Sequence, residues 1–300
     1  MLQANGVSKK FEDTQALNRV TCQIPSGCIY GLVGSNGAGK STLLRMLAGI
    51  YQTDEGAILL DGQPVYNNPA VKERIVYVSD ELFFLPGANL KRMADLYASI
   101  YRNFSYDRFR ELQETFGLPE NKAIQNFSKG MKRQAAVIMA LSASTDYLIF
   151  DETFDGLDPI MRNLVKSLVC EDVINRGATA IITSHSLREL EDICDQLAML
   201  HLGGLVLESE VQNLKTSLFK VQIAFREEFS EAAFKELDIL QYTRMGSVAR
   251  LIVRGDRVQT QTLLQQKNPL LLDILPLTLE EVFTYELEAV GYQFQVVEEG

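Results

Sequence analysis

One segment constrains this chain more than any other: Gly34-Ser35-Asn36-Gly37-Ala38-Gly39-Lys40-Ser41-Thr42. It fits G-x-x-x-x-G-K-[ST], the spelling of a phosphate-binding loop between a strand and a helix. A triphosphate needs a ring of backbone N–H donors at close range, and side chains would block the approach. Gly34, Gly37 and Gly39 carry no Cβ and tolerate positive φ, so the loop can close into an anion-binding nest. Lys40 is then expected to set its ammonium on the β- and γ-phosphates, and Ser41 to offer a hydroxyl to Mg²⁺. The flanks agree. Cys28 to Val33 is an apolar run that reads as a buried strand, and Thr42 to Gly49 reads as a helix with Leu43, Leu44 and Leu47 on one face. Such a helix turns its positive end toward the phosphates.

The rest of the chain reads as α/β. The first 27 residues read as strands with a turn at Pro25-Ser26-Gly27, and Ile58 to Gly62 as a strand entering an Asp-Gly turn. Ile75 to Val78, Tyr147 to Phe150 and Ala178 to Thr183 are short, continuous apolar strands. Residues 89 to 145 are helical by periodicity, and a further helix is expected around Ile160 to Cys170. Apolar strands alternating with helices predict a mixed, mainly parallel sheet covered on both faces. Leu197 to Glu208 reads as two strands turning at Gly203-Gly204. Past that point the strands alternate as half-buried ones and the helices between them turn polar. The expected organisation is a main domain over residues 1–212, with a helical subdomain over about 85–145, and a small α+β appendage over 213–300.

Further residues carry chemistry. Asp151-Glu152 follows the apolar strand ending at Phe150. A carboxylate at a strand's carboxyl end lies beside the phosphate loop of a doubly wound sheet. Asp151 is suited to hold Mg²⁺ through water, and Glu152 to polarise an attacking water as a general base. Ser128-Lys129-Gly130 opens a helix and reads either as an ordinary N-cap or as a second anion site. His185 follows the strand ending at Ser184, where a γ-phosphate contact is the better reading. Asp158, in Gly156-Leu157-Asp158-Pro159, starts a helix and reads equally as a plain cap. Phe11 is either a core aromatic or a platform for an adenine face.

Composition narrows the class. Lys plus Arg total 29 against 39 Asp plus Glu, a formal charge of −10, which disfavours a general nucleic-acid binder. No apolar run reaches the roughly 18 residues of a membrane span. The start, Met1 to Gly6, has neither a basic nor an apolar signal region, so no secretory leader is expected. The four cysteines are scattered without a C-x-x-C pair, which fits a reducing cytosol and neither zinc nor disulfides.

Taken in order (aromatic, phosphate loop, Ser-x-Gly helix, Asp-Glu, Gly-Leu-Asp, His), these motifs over roughly residues 2 to 210 resemble the nucleotide-binding subunit of ATP-binding cassette (ABC) transporters. The resemblance implies a P-loop NTPase fold and ATP and Mg²⁺ as ligands. It assigns Phe11 to the adenine-stacking loop, Ser128 to Met131 to the signature, Asp158 to the D-loop and His185 to the switch histidine. It also implies a head-to-tail pair, with Ser128 and Gly130 acting on the ATP held by the partner's loop. Two positions depart from the family pattern. The signature, usually Leu-Ser-Gly-Gly-Gln, is Phe127-Ser128-Lys129-Gly130-Met131. The Q-loop glutamine is replaced by Asp80, which can still ligate Mg²⁺ but adds negative charge. The stretches Val78 to Gly87, Ser128 to Gln134, Asp155 to Pro159 and Leu279 to Glu288 are similar to Gram-positive cassettes of the YtrB and bacitracin-exporter kind. Those pair with separately encoded membrane subunits. The implied function is an ATP-hydrolysing subunit, cytoplasmic and held at the inner face of the cell membrane by a permease, working in export. The segment Asp80 to Tyr101, rich in aromatics, is the expected docking surface. The alternative from another class is a soluble cassette ATPase acting on nucleic acid or ribosomes. It is disfavoured by the single phosphate loop, the acidic charge and the lack of coiled coils.

Overall fold

The structure, a computed structural model, describes residues 1–289. It divides into two units, one over Met1–Glu208 and one beginning at Ser209. The first unit runs β1 (Leu2–Phe11), β2 (Thr14–Ile24), β3 (Ile29–Val33), α1 (Lys40–Leu47), β4 (Glu55–Leu60), β5 (Gln63–Pro64), α2 (Pro69–Lys72) and β6 (Ile75–Val78). It continues with α3 (Leu90–Ile100), α4 (Tyr106–Phe116), α5 (Lys129–Ser142), β7 (Tyr147–Phe150), α6 (Pro159–Arg176), β8 (Thr179–Ser184), α7 (Leu187–Glu191), β9 (Gln196–His201) and most of β10 (Gly204–Glu210), whose last two residues belong to the second unit.

Two sheets form in this unit. The N-terminal strands make an antiparallel layer in the order β2-β1-β4-β5. The main sheet has the order β10-β9-β3-β8-β7-β6, and β3 pairs in parallel with both β8 and β9, as β7 does with β6 and β8. Every residue of β3, β7 and β8 is buried, as strands covered on both faces require. One apolar cluster joins Leu2 and Leu17 of the antiparallel layer, Leu43 and Leu47 of α1, and Leu32, Ile149 and Ile181 of the main sheet. Each of these fully buried side chains is worth about 1.5–3 kcal/mol relative to exposure, so α1 and the loop before it are fixed from both sides.

The helical segment is built from α3, α4 and α5, started by N-caps at Asn89, Ser105 and Ser128. From Gln134 to Ser142, α5 is buried on all faces. Helix α6 is longer than the sequence suggests. It runs to Arg176 because its apolar stripe, Val165, Leu168 and Val169, carries on into a buried Asp172 that Arg176 pairs with at 2.6 Å, and Gly177 then closes it at φ +66.

The second unit contains α8 (Val211–Ser217), β11 (Leu218–Ala224), β12 (Asp238–Met245), β13 (Val248–Arg254), α9 (Arg257–Gln265), β14 (Leu271–Pro276) and α10 (Leu279–Ala289). Its strands form an antiparallel sheet in the order β12-β13-β11-β14. The core holds Phe219, Val221 and Ile223 of β11 with Leu251, Val253, Phe234 and Leu264. Helix α10 opens on a reciprocal cap. Thr278 Oγ1 accepts from the Glu281 N–H at 3.2 Å, and a Glu281 carboxylate oxygen accepts from the Thr278 N–H at 2.9 Å.

Among the described residues no helix is long and apolar enough to cross a membrane.

Candidate functional site

Parallel pairing assembles the site. Val33 of β3 lies opposite Ser184 of β8, and Phe150 of β7 opposite Ile182. The residues after these strands therefore gather at one edge of the sheet, where open α/β sheets take ligands.

The glycine loop wraps the start of α1. Gly39 has φ +105, and a Cβ there would stand 2.5 Å from the Ala16 carbonyl oxygen. Only glycine fits. Ser35, Asn36 and Gly37 are exposed and Ala38 is buried. Lys40 is 4% exposed, and its Nζ donates to the carbonyl oxygens of Gly34 at 2.7 Å and Ser35 at 3.3 Å. The same ammonium lies 3.6 Å from Glu152 Oε1. In front of the loop is a hollow of about 360 Å³ lined by Thr14, Gln15, Ala16, Asn36, Gly37, Gly39, Lys40, Ser41, Thr42 and Glu152. A buried ammonium, the first turn of a helix and a glycine loop facing one hollow make a site for a polyanion.

Asp151 is fully buried, and both its carboxylate oxygens accept hydrogen bonds. Ser41 donates to Oδ1 at 3.1 Å, Thr183 donates to Oδ1 at 3.0 Å and the Tyr77 hydroxyl donates to Oδ2 at 2.9 Å. Burial, and then the Asp151 charge, push the Tyr77 phenol up to about 12, so it stays a donor. The Ser41 hydroxyl and the Asp151 carboxylate are hard oxygen donors meeting at one point. That pair suits Mg²⁺, which keeps several waters and takes few protein ligands.

Glu152 has φ +46, left-handed for a residue with a Cβ. Its main chain is held on both sides. The N–H donates to Thr183 Oγ1 at 2.8 Å, and the carbonyl accepts from Arg133 Nη1 at 3.0 Å. His185 is 61% exposed on its side chain, with Nδ1 3.1 Å from Asp155 Oδ2. Burial raises the Asp155 carboxyl above its ordinary range, and the neighbouring His185 partly opposes this. Arg162 ties the two adjoining segments together, donating to the Leu157 carbonyl at 3.1 Å and pairing with Glu189 at 2.8 Å.

The other expected residues are placed as follows. Ser128 caps α5, its Oγ accepting from the Met131 N–H at 3.2 Å, and neither Ser128 nor Gly130 lines the hollow. Asp158 caps α6 by accepting from Ile160 and Met161. Phe11 is exposed, not a core residue. It lies edge-on to Tyr51 at 5.4 Å and pairs across the hairpin with Thr14, which borders the hollow. Asp80 is drawn elsewhere than expected. Its carboxylate pairs with Arg133 at 2.8 Å, not with Ser41 or Asp151. Sequence reading missed Tyr77, Arg133 and Thr183 as members of the site. Each is an ordinary strand or helix residue in the sequence, and only the strand order brings it to Asp151 or Glu152.

A family model described as ABC transporter matches residues 17–155. The ABC transporter ATP-binding protein YtrB of Bacillus subtilis (strain 168) is 30% identical over 283 residues, covering 94% of this chain and 97% of the relative. The bacitracin transport ATP-binding protein BcrA of Bacillus licheniformis is 32% identical over 225 residues, 72% of this chain and 71% of the relative. Among solved structures, the dimeric structure of a bacterial ABC transporter cassette superposes with a TM-score of 0.64 at 19% identity, over 70% of this chain and 99% of that one. At that identity the likeness speaks for the fold.

Proposed function

The chain belongs to the ATP-binding proteins of ABC transporters, an ATPase family, and on that premise we propose that Lys40, Ser41, Asp151 and Glu152 carry its ATP hydrolysis. The observation that carries this reading is the meeting of Ser41 with Asp151, beside a buried Lys40 that lies 3.6 Å from Glu152. The N–H groups of Gly34 to Thr42 would surround the phosphates. Lys40 would exchange its Glu152 contact for the β- and γ-phosphates, which frees the Glu152 carboxylate to face water. Ser41 and Asp151 would hold Mg²⁺, Asp151 through water. When bound, the ion neutralises charge on the phosphate oxygens.

Glu152 would then take a proton from a water whose oxygen bonds to the γ-phosphorus. The bond from that phosphorus to the bridging oxygen breaks, and ADP and inorganic phosphate leave. Exposed His185, oriented by Asp155, would donate to the γ-phosphate as charge builds on it. Phe11 would offer its face to adenine. Asp158 would stand near the nucleotide across the pair. The hollow lacks Ser128 and Gly130, which supports a second cassette completing it with its own α5 N-terminus. The dimer in which a related fold was solved agrees with this.

We assign the opening and closing of that pair to a separate membrane-spanning permease, in export, with the chain held at the cytoplasmic face. Support comes from the relative named for bacitracin transport. It also comes from an exposed Phe83 (75%) and an apolar hollow of about 800 Å³ bordered by Ala48, Ile50, Ile75, Tyr77, Ile100 and Tyr101. That hollow suits an amphipathic helix of a partner.

The test is Glu152→Gln, incubated with ATP and Mg²⁺ and followed by sedimentation and phosphate release. Hydrolysis should fall at least about a hundredfold, the lower range for losing a general base, and a nucleotide-dependent dimer should accumulate. Turnover near that of the unaltered chain would remove Glu152 from its role. Purification from cells with nucleic acid in place of a hydrophobic multi-span protein would overturn the permease assignment.

A further inference from the structure

We propose that Arg133 is a positioning residue for hydrolysis, setting the Glu152 carboxylate according to where Asp80 stands. This rests on the assignment of Glu152 as the water-aligning base. Arg133 lies one turn into α5, and its side chain is 15% exposed. Its guanidinium meets three chain segments at once. Nη2 pairs with Asp80, two residues past β6. Nη1 donates to the Glu152 carbonyl, just past β7. Nε lies over Gly156, where an added Cβ would sit 3.4 Å from it, in the loop before α6. A planar fork with fixed donors suits that task, and a flexible lysine does not.

What makes this more than a structural tie is the conformation at its far end. Glu152 sits at φ +46, with the Thr183 hydroxyl on its N–H and two donors on its carbonyl, the Asp155 N–H at 3.2 Å from within the same turn and Arg133 from outside it. Thr183 is a buried residue in the middle of the sheet and is fixed. Arg133 is the restraint that can vary, because its other hand rests on an exposed carboxylate that enters the aromatic-rich segment before α3. If that segment shifts, Asp80 moves, the fork turns, and the peptide after Glu152 turns with it. The arrangement also accounts for an aspartate at position 80. Its charge is satisfied by Arg133, so it stays off the metal and serves as a handle on α5.

Arg133 borders no part of the phosphate hollow, so its loss should act on turnover and not on nucleotide affinity. The experiment measures kcat and KM for ATP, equilibrium ATP binding and Mg²⁺ dependence. The variants are Arg133→Gln, Arg133→Lys, Asp80→Asn and the double Asp80→Asn/Arg133→Gln, each checked for an unchanged melting profile. Arg133→Gln should lower kcat by about tenfold or more, as misplacing a reacting group does, with ATP affinity within about threefold. Arg133→Lys, able to keep one of the two bonds, should fall between. Asp80→Asn should cost severalfold, and the double variant should be no worse than Arg133→Gln alone, because both changes break one linkage.

A kcat within twofold for Arg133→Gln would overturn the inference. So would parallel losses in kcat and affinity, or single effects that multiply in the double variant. Glu152→Gln is run alongside. If it is inactive while Arg133→Gln is normal, the positioning role alone fails. If Glu152→Gln still turns over, the assignment of the base and this inference fall together.

Discussion

Replacing Thr183 by valine tests the reasoning about Glu152 through one hydroxyl. The two side chains match in shape, so the fully buried site acquires no cavity, but Val brings no oxygen. The Glu152 N–H, which donates to Thr183 Oγ1 at 2.8 Å, is left without an acceptor, and Asp151 loses one of its two donors on Oδ1. An orphaned buried amide costs about 1–3 kcal/mol and a hydrogen bond to a charged group about 1.5–3 kcal/mol. Since the two share one atom, a combined loss of about 3 kcal/mol is reasonable. In a unit of this size about 1 kcal/mol moves Tm by about 2–4 °C, so melting should fall by about 6–12 °C. Turnover should drop by about tenfold or more because Glu152 loses an anchor. ATP affinity should hold within about threefold, since Thr183 does not border the hollow. Differential scanning fluorimetry, a phosphate-release assay and nucleotide titration read the three quantities. Thr183→Ser keeps the oxygen and should keep most of the rate. A Thr183→Val chain that melts within about 2 °C of the parent and turns over at more than half its rate would refute the account of how Glu152 is held.

Gly39→Ala should weaken ATP binding by about tenfold or more. It forces a Cβ against the Ala16 carbonyl at a φ of +105, a strain of about 1–3 kcal/mol before the clash is counted. Titration with a fluorescent ATP analogue measures it, and unchanged affinity would mean the loop does not wrap phosphate. In the second unit, the Thr278 N–H and then Lys220 hold the Glu281 carboxyl below its ordinary value. A depressed folded-state pKa gives stability that is present above the unfolded value near 4.5 and is lost as pH falls through the folded one. Glu281→Gln should therefore lower the unfolding free energy read from urea titration at pH 7 by about 0.5–1 kcal/mol for a partly exposed cap. The gap should narrow progressively as pH falls below 4.5. A gap that does not change as pH falls below 4.5 would show that packing, not charge, is at work.

Much of the fold was legible because its signals are local. The glycine loop carries its own conformational demands, and the buried strands around Val33, Phe150 and Ile181 read as apolar runs because both faces of the sheet are covered. Candidate site residues were legible where they stand just past a strand end, as Asp151, Glu152 and His185 do. They were illegible where partners meet through strand order. Thr183 reaches Asp151 across 32 positions only because β8 lies beside β7, and Tyr77 reaches it because β6 flanks β7 on the other side. No periodicity encodes that order. The pairing of Asp80 with Arg133 was hidden for the same reason. The family resemblance set Asp80 at the Q-loop position, while its partner in space, Arg133, comes from a helix 53 positions away. The separate antiparallel layer of β1, β2, β4 and β5 was likewise hidden, since alternating strands name their own buried face but not the sheet they join.

The proposed hydrolysis depends first on Lys40 and the amides around it holding ATP. Equilibrium binding of ATP with Mg²⁺ to the purified chain, compared with Lys40→Ala, tests it most directly. Saturable binding that weakens by about thirtyfold or more, as loss of a charge-assisted contact of about 2 kcal/mol or more implies, is the expected result. Equal affinity in the two proteins, or no binding by either, would contradict it.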